Sequence, residues 1–237
     1  MIISFDRKFV FVHIAKTAGD SVTKVLVPHL GTDSVVVSND FQAWRDRLLR
    51  PRYRPFYRLA KHSTADEIRA ALTADAWDGF YKFAFVRDPI ARAVSLYTFI
   101  ERKAEERARV LPRNLWYAVM AKEADDPLNW PAMIAYRETS DFSEFIRHPC
   151  ALDDQAMHPQ SSFLCDASGA SLVDFVGRVE RIDEDFGEIC RRIGLGDIRL
   201  GQANKSTRTL TGDEITRDDR DYLHRLFSVD YERFGYG

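Results

Sequence analysis

Cysteine is scarce. The 237 residues contain three, Cys150, Cys165 and Cys190, scattered singly. That spacing excludes a disulfide framework and the paired ligands of a zinc site, and it suits a reducing compartment. Long apolar runs are missing too: no stretch approaches the roughly 18 residues a membrane span needs. The first eight residues, Met1 to Lys8, lack a basic segment followed by an apolar run, so they do not read as a signal peptide. Nor does one sign of charge dominate. Lys plus Arg number 34 and Asp plus Glu 36, for a net charge of −2 and a pI near 6.3. This balance argues against coating nucleic acid by bulk charge, although it leaves room for a local basic patch. Repeats, low-complexity tracts and Gly/Ser linkers are absent, so residues 1–237 read as a single domain. What is present is 45% apolar and 30% charged residues, a composition that builds a core.

Two short apolar runs, Lys8 to His13 and Tyr81 to Val86, have the length and composition of strands buried on both faces of a parallel sheet. After the first, Val22, Val25 and Leu26 recur at helical spacing, and Pro28 should end that helix. After the second, Asp88 suits an N-cap and Pro89 the first helical position, in a helix running to about Arg109. A third strand is expected at Leu172 to Gly177. It precedes a helix with Phe186, Ile189, Cys190 and Ile193 on one face, closed by Gly194. A last helix is expected from Asp213 to Phe227. Strands alternating with helices give an α/β fold with a central, mostly parallel sheet. Residues 101–160 read as a more helical and irregular flank that shapes the acceptor side of a site.

Chemistry concentrates at two strand-to-helix junctions. The first is His13-Ile14-Ala15-Lys16-Thr17-Ala18-Gly19-Asp20-Ser21. Amide N–H groups and the dipole at a helix start attract anions, and small residues let a phosphate approach the main chain. Lys16 adds a mobile positive charge, and Thr17 and Ser21 add hydroxyls. The lysine precedes the glycine, so this is not a Walker A loop. An ordinary turn bearing a surface lysine would look the same. The second junction is Phe85-Val86-Arg87-Asp88-Pro89 through Ser95-Leu96-Tyr97. It sets an arginine at the carboxyl end of a strand, the edge where α/β sheets bind ligands. Ser95 stands six residues beyond Pro89, roughly 9 Å of helix at about 1.5 Å per residue. Arg87 and Ser95 therefore share an anion only if it lies along the helix. The alternative is Arg87 paired with a nearby carboxylate.

In order and wording these motifs resemble the sulfotransferase superfamily, in its carbohydrate-type, family-2 branch. Residues 13–21 resemble that branch's 5′-phosphosulfate loop, His-Ile-Pro-Lys-Thr-Gly-Gly-Thr-Ser, with Ala15, Ala18 and Asp20 as departures. Residues 85–97 resemble its 3′-phosphate motif. Val176-Gly177-Arg178-Val179-Glu180, Asp185-Phe186 and Tyr231 to Tyr236 are weaker echoes. The resemblance implies a P-loop-like three-layer fold and 3′-phosphoadenosine 5′-phosphosulfate as donor. It also implies in-line transfer of the sulfuryl group to a hydroxyl or amine of an acceptor, a glycan or glycoconjugate. A sulfuryl group carries less charge than a phosphoryl group, so no metal is required. Lys16 would neutralise the leaving 5′-phosphate, residues 15–21 would hold it, and Arg87 and Ser95 would hold the 3′-phosphate. Asp20 puts a carboxylate close to that anion; as an N-cap it would be structural. The branch's lumenal members carry a membrane anchor upstream of this domain. With the first strand starting at about residue 8, a cytoplasmic enzyme of bacterial type is expected.

An acceptor hydroxyl needs a base, and His62 is the candidate. Thr64 and Glu67 read as a capping box, so a helix starts just beyond it, and a positive helix end depresses an imidazole pKa. The competing reading is a surface histidine. His13 is expected beneath the loop as a packing residue, and His148 and His158 lack a supporting motif. On the acceptor side, Arg45 to Lys61 holds seven basic residues against one acid, either a receptor for anionic groups or a solvated segment. Trp116, Tyr117, Trp130 and Tyr136 are sugar-stacking walls or core. Rival readings are a P-loop-type kinase or nucleotide-binding protein, a non-catalytic nucleotide-binding scaffold, and a nucleic-acid binder that uses the basic segment.

Overall fold

The computed structural model describes residues 1–38, 55–110, 129–196, 198–200, 210 and 214–236. In chain order the strands and α-helices are β1 (Ile2–Ser4), β2 (Phe9–Val12), α1 (Gly19–Leu26), β3 (Val35–Val36), α2 (Ala65–Ala71), α3 (Ala74–Gly79), β4 (Tyr81–Val86) and α4 (Pro89–Val110). They continue as α5 (Pro131–Glu138), α6 (Phe142–Phe145), α7 (Pro149–Leu152), α8 (Ser161–Leu164), β5 (Phe175–Arg178), α9 (Ile182–Arg192), α10 (Arg217–Leu226) and α11 (Ser228–Phe234). The chain divides into two compact units. One comprises Met1–Asp88 with Pro159–Asn204, the other Pro89–His158 with Lys205–Gly237.

The first unit holds a five-stranded sheet in the order β3-β1-β2-β4-β5. The β2–β4 and β4–β5 pairs are parallel, in registers Phe9↔Tyr81 and Phe83↔Phe175. β1 pairs antiparallel with both β2 and β3, so it alone runs against the other four described strands. The sheet is mostly parallel, as expected. Strand alternation sends Phe9, Phe11, Phe83 and Phe85 to one face, where they form a core with Val22 and Leu26 of α1 and with Phe186, Ile189 and Cys190 of α9. Burying each such ring contributes about 1.5–3 kcal/mol. Val10, Val12, Ala84 and Val86, on the other face, are buried as well. Lys82 sits among them because its ammonium donates to the carbonyls of Trp77 (3.2 Å) and Phe80 (2.8 Å) and pairs with Asp174 (3.1 Å).

Four boundaries differ from the sequence reading. The sheet begins at Ile2 rather than Lys8, because three residues are too few to show an alternation. The third strand is Phe175–Arg178, three residues later at its start than expected. There Gly177 lies opposite Phe85, and a Cβ on it would stand 2.6 Å from that ring. The last helix is two, α10 and α11, broken at Phe227; Asp213 lies outside the described residues. Ala18, not Asp20, is the N-cap of α1. The cysteines are free, and no described helix is long and apolar enough to cross a membrane.

The second unit is helical in its described residues. Trp130 lies parallel to Phe99 at 6.1 Å and Tyr136 meets Tyr97 at 5.5 Å, so both rings are engaged in packing. Trp116 and Tyr117 lie outside the described residues. Asp219, fully buried in α10, accepts hydrogen bonds from Ser143, Arg147 and Thr216. Burial alone would raise its pKa, but these donors outweigh it and hold the carboxyl below its usual range.

Candidate functional site

β2 ends at Val12 and the chain turns through residues 13–18 into α1. Lys16 (φ 66°) and Ala18 (φ 61°) are left-handed, with Thr17 between them on the negative-φ side. Alternation of this kind turns successive N–H groups toward one side and makes an anion-binding nest. The Gly19 and Asp20 amides at the start of α1 extend the same set of donors, whereas the Ser21 and Val22 amides already donate to the Ala18 carbonyl at 3.0 and 3.2 Å. Thr17 is buried, and its hydroxyl donates to the Ile14 carbonyl at 3.0 Å, so it holds the loop from within. Lys16 is half-buried. These residues fit a phosphate.

The two departures at 18 and 20 have different physical consequences. Left-handed Ala18 carries a Cβ penalty that glycine would not. Gly19 is the reverse: a Cβ there would collide with the buried His13 ring directly beneath. Ala18→Gly is expected to stabilise the protein by about 0.5–1 kcal/mol, because relief of the left-handed strain exceeds the entropy glycine returns to the unfolded chain. Gly19→Ala is expected to destabilise by about 1–3 kcal/mol. Thermal melts of the two variants should move in opposite directions. Asp20 lies in the first turn of α1, where its carboxylate pairs with Lys61 at 2.7 Å. The charge that the loop acquires through Asp20 is therefore offset by the residue beside His62.

His62 sits just before α2, whose capping box is complete: Thr64 Oγ1 accepts from the Glu67 amide and Glu67 Oε2 from the Thr64 amide. Its Nδ1 lies 2.8 Å from the His13 carbonyl. A carbonyl only accepts, so Nδ1 carries the proton and Nε2 keeps its lone pair. The rings of His13 and His62 meet edge to face at 4.7 Å. The His62 pKa is lowered to about 4. Burial is the main cause, the Lys61 charge adds to it, and the bond to His13 opposes it. The imidazole is neutral at pH 7, through burial rather than the helix end the sequence suggested. His13 is buried and held well below its usual range, again by burial first.

Arg87 follows the last residue of β4. The buried Gln160 side chain grips its main chain: Oε1 accepts from the Arg87 N–H at 2.9 Å and Nε2 donates to the Arg87 carbonyl at 2.8 Å. Glu180 accepts from the Asp88 N–H at 2.8 Å, and Asp185 accepts from the Arg178 N–H at 2.6 Å. The weak echoes at 176–186 thus include Glu180, which braces the chain just beyond β4, and Asp185, which braces the end of β5. Nothing in the sequence around Gln160 signals its task.

Ser95 lies on α4 in the second unit. His148 caps α7, its Nδ1 accepting from the Cys150 amide, and its Nε2 lies 3.2 Å from Glu138. His158 is exposed, and its carbonyl accepts from Arg92. Of the basic segment, Arg58 and Lys61 are described; Arg45, Arg47, Arg50, Arg52 and Arg54 lie outside the described residues.

Comparison with known proteins agrees with the motifs. The family model described as "Sulfotransferase family" matches residues 1–237. Carbohydrate sulfotransferase 11 of Danio rerio is 25% identical over 169 residues, covering 66% of this chain and 47% of that protein. The matched stretch therefore spans about half the length of that curated relative. No solved structure matches the chain. With a family match over its whole length and both junction motifs folded at the ends of parallel strands, the chain belongs to the sulfotransferase family, in the family-2 branch.

Proposed function

We propose that this chain transfers a sulfuryl group from 3′-phosphoadenosine 5′-phosphosulfate to a hydroxyl or amine of a carbohydrate or glycoconjugate. The observation that carries the reading is the bond from His62 Nδ1 to the carbonyl of His13, the first residue of the phosphate loop. It ties a neutral imidazole, with Nε2 unprotonated, to the segment best suited to an anion.

In this reading residues 15–21 hold the 5′-phosphate, through the backbone amides that precede Ser21, the Ser21 hydroxyl and Lys16, and Arg87 holds the 3′-phosphate. For Ser95 the reading rests on the motif alone. The donor supplies an activated sulfuryl group whose transfer leaves negative charge on the 5′-phosphate. Lys16 and the loop amides are preorganised where that charge develops. His62 Nε2 takes the proton from the acceptor hydroxyl, while Nδ1–H stays on the His13 carbonyl and fixes the ring. Lys61 offsets the Asp20 carboxylate at the loop.

Calorimetric titration with 3′-phosphoadenosine 5′-phosphate in metal-free buffer tests the reading. Binding is expected for the wild type, weakened about tenfold or more in Lys16→Ala and Arg87→Ala by loss of a charge-assisted hydrogen bond. A preference for magnesium-ATP would favour a kinase. Product binding without turnover on any acceptor would favour a scaffold.

A further inference from the structure

Beyond β4 the regular ladder stops: the last β4–β5 partners are Val86 and Arg178. The N–H and carbonyl of Arg87 thus need partners from outside the sheet, and the Gln160 amide supplies both, at 2.9 Å and 2.8 Å. The two bonds are reciprocal and mimic one rung of a strand pair. Gln160 is fully buried, and 73 residues separate it from Arg87. A primary amide carries a donor and an acceptor side by side on one rigid plane without any need to be protonated. A carboxylate of the same length has no donor, and methionine has neither group to offer. Holding both polar groups of one residue fixes its backbone orientation, and hence the direction in which its Cα–Cβ bond leaves the strand end.

We propose that Gln160 is a positioning residue for donor recognition: by clasping the Arg87 main chain it aims the guanidinium at the 3′-phosphate. This rests on the proposed function, in which Arg87 takes the 3′-phosphate and the Lys16 loop the 5′-phosphate. The clasp acts on one of two phosphate sites, and a general loss of packing would not single out that site.

The test uses the full chain and two probes, 3′-phosphoadenosine 5′-phosphate and adenosine 5′-phosphate, titrated into wild type, Gln160→Met and Gln160→Leu. Expected is about a tenfold loss of affinity for the bisphosphate in both variants, with adenosine 5′-phosphate binding unchanged. In an Arg87→Ala background, Gln160→Met should add no further loss. Adenosine 5′-phosphate binding also reports that the loop is folded, and Gln160→Leu, likewise without donor or acceptor, gives a second apolar side chain where methionine compromises folding. Equal losses for both probes, or no loss for either, would overturn the positioning role while leaving the donor reading intact. A wild type that binds neither nucleotide would overturn both.

Discussion

Alanine in place of His62 is expected to lower kcat by about 10²-fold, toward the lower end of what general acid–base catalysis contributes, because a base with a pKa this far below neutrality is weak. Affinity for 3′-phosphoadenosine 5′-phosphate should stay close to wild type, since neither Lys16 nor Arg87 is touched. The pH dependence follows from the geometry. Nε2 accepts a proton only while unprotonated, so activity falls as the pH drops through the folded-state pKa of about 4. In the wild type the acid limb of kcat/KM should lie near that value and not near 6.5, the ordinary imidazole value. Lys61→Met removes a charge that lowers the pKa and should move the limb upward. It also frees Asp20, whose negative charge acts in the same direction. A His62→Ala enzyme with wild-type kcat on its acceptor would sink the assignment. Stability carries the same signature. His62 and His13 are neutral when folded but take protons near pH 6.5 when unfolded. The unfolded state therefore binds more protons, and stability, full above about pH 6.5, is lost as the pH falls toward 4. Urea melts at pH 7 and pH 5 should show that loss.

Much of the fold around the candidate site was legible because its parts are local. Tyr81–Val86 is a strand with the expected bounds, since six apolar or buried residues followed by Arg-Asp-Pro leave little choice of register. The strand-to-helix turn after β2 could be read for the same reason: small residues, a lysine and a helical period all fall between Ala15 and Leu26. The capping box at Thr64 follows the Ser/Thr-x-x-Glu rule. That at Thr216 escaped it because Asp219 stands at the third position. The rest depends on contacts across long stretches of chain, which leave no periodicity. Gln160 is 73 residues from Arg87, and His62 is 49 residues from the carbonyl that sets its tautomer. Asp20 read as an N-cap by residue type alone. The left-handed turn at Ala18 moves the cap two residues earlier and leaves Asp20 facing Lys61.

Arg92 carries the largest expected effect on stability. It lies in the first turns of α4, 1% exposed. Its Nη1 donates to the His158 carbonyl at 2.7 Å and its Nη2 to the Gln155 carbonyl at 3.1 Å. Burial lowers its pKa to about 10, against the support of Asp230 and Asp154. The guanidinium is therefore charged at pH 7, and buried Asp230 faces a permanent cation. Arg92→Met fills much of the same volume but removes the guanidinium donors from two carbonyls, leaving that of Gln155 with the His158 N–H, and leaves Asp230 buried without that charge. Breaking one side of such a pair costs about 3–5 kcal/mol, a fall in Tm of roughly 10 °C for a chain of this size. Arg92→Lys keeps the charge but gives up the planar fork that reaches both carbonyls, so its loss should be intermediate. The decisive comparison is Arg92→Met with Asp230→Asn. If the cost is chiefly the countercharge lost to Asp230, the double variant is more stable than Arg92→Met alone. If it is chiefly the two carbonyls, neutralising Asp230 recovers nothing. A single Arg92→Met variant that melts with the wild type would show that neither group depends on the arginine.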